Sequence, residues 1–139
     1  MLEEVVTFET AILAKELNYP QNESYDYYTG TDDKMMTNNH YKEFLNKNIT
    51  LTAAPSQTLL HKWLREVHSI DVVISPERYK DGINYAVQAQ KFDLDNGDKD
   101  LNYVTDGSFL FNDNHEYDTY EKALEKGLYE GLQLIKRNL

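Results

Sequence analysis

The chain has no cysteine among its 139 residues. Disulfides, thiolate nucleophiles, iron–sulfur clusters and thiolate zinc sites are therefore excluded. Bases are scarce as well: 14 Lys and Arg stand against 24 Asp and Glu, a formal net charge of −10. Such a surface repels phosphate, so tracking a nucleic-acid backbone and binding an anionic membrane are both disfavoured. Long apolar runs are missing. The longest is Ala11–Ala14, far short of the ~20 residues of a membrane span. The opening MLEEVVTFET carries acids where a secretory signal needs bases, so no such signal is expected. No P-loop, G-x-G-x-x-G or G-x-S-x-G stretch occurs.

What is present suits one globular domain spanning 1–139. Hydrophobic residues make up 40% and charged residues 27%, both ordinary for a packed fold. The spacing predicts a first helix over Thr7–Leu17, capped by Thr7, with Phe8, Ala11 and Ile12 on one side. Ser24–Thr29 reads as a short strand and Thr29–Asp33 as a turn. Residues 34–52 read as a loop, with a helical turn at Tyr41–Leu45 or a strand at Ile49–Thr52.

A central helix is expected to start at Ala54-Pro55-Ser56-Gln57, with proline in the first helical position. Leu59, Leu60, Trp63, Leu64 and Val67 then form an apolar stripe. A strand follows at Ile70–Ile74, then a Lys80-Asp81-Gly82 turn and a strand over Ile83–Phe92. Asn96-Gly97 predicts a hairpin to Leu101–Val104, and Phe109–Phe111 a further strand. Asp118 is expected to cap the last helix with Glu121 in a capping box. Tyr120, Leu124, Leu128, Leu132 and Ile135 line that helix. Ala123, Gly127 and Gly131 form a ridge against which another backbone should pack. The fold class expected is α+β, with two or three helices on a small, mostly antiparallel sheet. Its core should bring together Leu60, Trp63, Leu64, Leu124, Leu128 and Ile135.

Few residues point to chemistry. His61 and His68 share a helix but stand two turns apart, wider than a metal-binding i, i+4 pair. They read as surface histidines, and His115 as part of a polar loop. Asp93, Asp95, Asp98, Asp100, Asp106, Asp113, Glu116 and Asp118 make an acidic tract with Lys99 as its sole base. Asp93–Gly97 has the look of a calcium loop, but its glycine falls one place early and Val104 stands where glutamate should close the site. No catalytic residue, metal ligand or cofactor is assigned, and an enzyme is the least supported class. Tyr25, Tyr27, Lys62 and Arg65 are the candidate binding residues: tyrosine offers contact area at low entropic cost, and an exposed guanidinium either pairs locally or receives an anion.

Three stretches, TFETA at Thr7–Ala11, APSQTLLHKWLREVH at Ala54–His68 and YDTYEKALEKGL at Tyr117–Leu128, resemble a group of small phage and prophage proteins of uncharacterised function. The resemblance implies a viral origin and a host-cytoplasmic setting, but transfers no functional residue. Against that group Lys91–Asn112 reads as an insertion. The function expected is a non-catalytic binding module, its partner an unidentified host protein. The alternatives are a small, nucleotide-like ligand, or service as an acidic decoy for a nucleic-acid-binding host protein. Homo-oligomerisation is left open.

Overall fold

The computed structural model describes residues 4–22, 24, 26–29, 34–37, 50–91 and 109–137. Among these the fold is α+β, with three helices and two antiparallel three-stranded sheets. The chain divides into two compact units, Met1–Leu59 and Leu60–Leu139.

The first unit holds α1 (Phe8–Glu16), β1 (Asp26–Thr29), β2 (Lys34–Thr37) and β3 (Leu51–Ala54) in a sheet of order β2-β1-β3. Thr7 caps α1 as expected, its hydroxyl accepting from the Thr10 amide at 3.3 Å. At the other end Asn18 adopts φ 71°. That turns the Asn18 and Tyr19 amides back onto Lys15 and Ala14 carbonyls, a Schellman closure with asparagine in the left-handed position. The buried side of α1 is Thr10, Ala11, Leu13 and Ala14, while Ile12 faces outward. The apolar side thus lies one step round from the Phe8–Ile12 line. Lys34–Thr37 is a strand paired with β1, not loop. β3 begins two residues after the Ile49–Thr52 strand expectation. The Thr29–Asp33 turn beyond Thr29 and the Tyr41–Leu45 helical turn lie outside the described residues.

The second unit contains most of α2 (Gln57–His68), then β4 (Ile70–Tyr79), β5 (Gly82–Lys91), β6 (Phe109–Tyr117) and α3 (Tyr120–Arg137). The sheet order is β4-β5-β6, and α3 lies across all three strands. α2 starts later than the proline suggested. The Ser56 hydroxyl accepts from the Leu59 amide at 3.2 Å, so Ser56 is the cap and Pro55 precedes it. The last helix is displaced by one: Thr119 accepts from Lys122 N–H at 3.1 Å. Asp118 instead pairs with the Lys122 ammonium at 2.9 Å, which holds its carboxyl below the usual range.

β4 runs on through Pro76 because it is an edge strand. The Val72 amide points away from β5, towards His61. Two-residue alternation puts the nitrogen of Pro76 on that same outer side, where a missing donor costs nothing. The Lys80-Asp81 turn ends on Gly82 at φ +137°, so glycine makes the reversal, as expected. β6 reaches Tyr117, so His115 belongs to a strand and not a loop. The Asn96-Gly97 hairpin lies outside the described residues.

On α3 the buried residues are Ala123, Leu124, Gly127, Leu128, Gly131 and Leu132. Tyr120 is 45% exposed and stands edge-on to Tyr85. The glycine ridge meets side chains, not a backbone. A Cβ on Gly127 would fall 2.3 Å from Val72 Cγ1 and 2.5 Å from Val87 Cγ2. Leu60, Leu64, Leu124 and Leu128 are buried, but Trp63 and Ile135 are only half-buried.

Candidate functional site

α2 carries two distinct faces. Leu60 and Leu64 lie wholly buried on one, with His61 and His68 half-buried beside them. On the other, Lys62, Arg65 and Glu66 are exposed, and so are Leu59 at 52% and Val67 at 58%. The apolar stripe expected from the sequence is therefore split. Leu59, Trp63 and Val67 recur every four residues, one turn apart, and form a ridge along the margin of the outer face. Trp63 is half-buried in that ridge, its ring 4.6 Å from His68 and steeply inclined to it.

A polar cluster fastens the inner flank. Ser69, at φ 56°, is the single residue between α2 and β4. This tight reversal sends β4 back alongside the helix, so Asp71 meets residues one and two turns up α2. His61 Nε2 lies 2.8 Å from Asp71 Oδ1 and 3.3 Å from Val72 N. One ring nitrogen cannot serve both at once. Protonated, it donates to Asp71; unprotonated, it accepts from Val72. Arg65, one turn on, stands 3.9 Å from the same carboxylate. An imidazole beside a carboxylate is the base half of a proton relay. Here Nε2 is the nitrogen on the carboxylate side, and it ties the helix to the edge strand.

His68 ends α2. Burial and the nearby Lys91 ammonium hold its pKa below 6.5, because both penalise the imidazolium. Its Nε2 has no hydrogen-bond partner. The surface-histidine expectation is thus corrected for both: neither ring of α2 is exposed. A one-residue link between helix and strand is the signal that pairs His61 with Asp71, and such links are not legible from hydropathy alone.

The four candidate binding residues are not gathered into one constellation. Tyr27 is wholly buried in the first unit with Leu51 and Ala53, and Tyr19 packs against that group. Its neighbour Tyr28 donates its hydroxyl to the Val6 carbonyl and meets Phe8 edge-on. Tyr25 lies outside the described residues. Lys62 and Arg65 do share the outer part of α2, Lys62 lying 3.9 Å from Glu66. No group of three His, Asp or Glu suited to a metal occurs among the described residues. Among these residues, too, no helix is long and apolar enough to cross a membrane. No protein-family model, curated protein or solved structure matches the chain.

Proposed function

We propose that the chain is a non-catalytic binding module that engages a protein through the outer face of α2. The observation that carries this reading is the Leu59–Trp63–Val67 ridge, whose two end residues leave more than half their surface in water. Helix-in-groove and helix-on-helix recognition use apolar anchors at this spacing. The charged side chains beside it, Lys62 and Glu66, supply the polar rim such an interface needs. A small-ligand role has less support, because Tyr27 is core and Arg65 stands against Asp71. The resemblance to phage and prophage proteins supports a setting in an infected or lysogenic host cell.

Site-specific photo-crosslinking in expressing cells tests the reading. A photoreactive residue replaces Lys62 in one variant and Arg78, on the exposed β4–β5 hairpin, in another. Discrete protein adducts are expected from position 62 and are lost when Val67→Asp is added. Adducts confined to position 78, or none from position 62, contradict it.

A further inference from the structure

We infer that the protein covering the outer face of α2 is a second copy of this chain, docked antiparallel about a two-fold axis near Trp63. The inference rests on the binding reading above and names its partner.

The argument is one of self-complementarity. At 100° per residue, Leu59, Trp63 and Val67 lie on one side of the outer face. Lys62 and Glu66 lie beside them on the other. A two-fold axis in the interface plane, perpendicular to the helices, reverses the helix direction but keeps each row on its own side. Ridge then meets ridge: Leu59 of one copy falls over the partner's Val67, and the two Trp63 rings meet near the axis. The charged rows meet too, and reversal sets Lys62 against the partner's Glu66, twice. A parallel pair would instead lay the apolar ridge over the charged row. An isologous contact needs this self-matching pattern, and opposite charges across it fix the register.

Net charge selects the same face. Two copies at −10 each repel through most of their surface. The exposed charges of α2 are Lys62, Arg65 and Glu66; with Asp71 beside Arg65 they balance, so this face is close to neutral on an acidic molecule. Here two copies approach with least cost, and the half-exposed leucine and valine gain most from being covered.

Sedimentation velocity of the purified full chain, between about 1 µM and 1 mM, tests the proposal, with thermal melts to confirm folding. The wild type is expected to dimerise across that range. Val67→Asp sets a carboxylate against the partner's Leu59 and should weaken the dimer at least about tenfold. Lys62→Glu alone sets like charges face to face and should weaken it, as should Glu66→Lys alone. The double variant Lys62→Glu/Glu66→Lys restores opposite charges and should recover dimerisation. A wild type monomeric throughout, or a double variant no better than the singles, overturns the second-copy assignment. If the chain is monomeric while position 62 still crosslinks to a different protein, the binding reading stands and only this partner is wrong. If dimerisation persists in Val67→Asp and position 62 crosslinks to nothing, both fail.

Discussion

Single residues in this fold are decided by what lies within a few ångströms of them. Gly127 and Gly131 look alike in sequence, yet only the first is required. The Cβ of an alanine at 127 would collide with two valines, whose branched side chains have little rotamer freedom to yield. Gly127→Ala should cost about 1–3 kcal/mol, the range for overpacking. At 131 the nearest atoms, on Ile70 and Leu64, stand 3.5 and 3.6 Å away, ordinary contact. Gly131→Ala should stabilise by about 0.5–1 kcal/mol through helix propensity. Denaturant melts of the two variants check both signs.

His68 makes a second residue-scale prediction. Its folded pKa is held below 6.5 by burial and Lys91. Below 6.5 the unfolded chain therefore binds a proton that the folded chain resists. The contribution of His68 to stability is full above that pH and is lost as pH falls from 6.5 towards the folded value. Melts between pH 7.5 and 5, pH values spanning about one unit or more on either side of the histidine range, should show this loss. His68→Gln should flatten it, and Lys91→Gln should reduce it.

At the scale of elements, sequence pattern located the helices and most strands but misjudged their edges. Each helix among the described residues begins with a hydroxyl bonded to the amide three residues on: Thr7 to Thr10, Ser56 to Leu59, Thr119 to Lys122. Only the first of these was legible. At the other two, Pro55 and Asp118 offered equally good local signals that set the helix start two residues and one residue too early, and backbone geometry chose between them. Among the edge strands, Ile70–Ile74 and Phe109–Phe111 were legible, but the continuation of β4 to Tyr79 and the start of β3 at Leu51 were not. Outward amides of β3 and β4 are taken by side chains distant in sequence, Ala53 by Gln21 and Val72 by His61. The face of α2 was half legible: hydropathy marks Leu59, Leu60, Trp63, Leu64 and Val67 as apolar, but not which the fold leaves outside. Leu64→Ala should cost about 2–5 kcal/mol as a core truncation. Val67→Ala should stay within about 0.5 kcal/mol, as surface changes do. Similar losses in urea melts would contradict the two-faced helix. Of the four candidate residues, sequence pattern put Lys62 and Arg65 off the apolar stripe, where both are exposed, but it could not show the Asp71 carboxylate that stands beside Arg65.

At the scale of the whole molecule, net charge bears on the proposed self-association. Like copies at −10 repel over a distance set by ionic strength, with screening over ~10 Å at 0.1 M. Raising salt from about 20 to 150 mM should therefore strengthen self-association, because long-range repulsion is screened more than the short contacts across α2. Binding to a basic partner would weaken instead, so sedimentation at the two ionic strengths separates a self-docking module from an acidic decoy. The chain also supplies its own reporter. Trp63 is its only tryptophan and stands in the middle of the proposed interface. Acrylamide quenching of its fluorescence across a concentration series is thus the most direct test that α2's outer face is where this protein binds. The account predicts that quenching falls as the protein associates and stays constant for Val67→Asp. Association with Trp63 quenched equally at every concentration would contradict it.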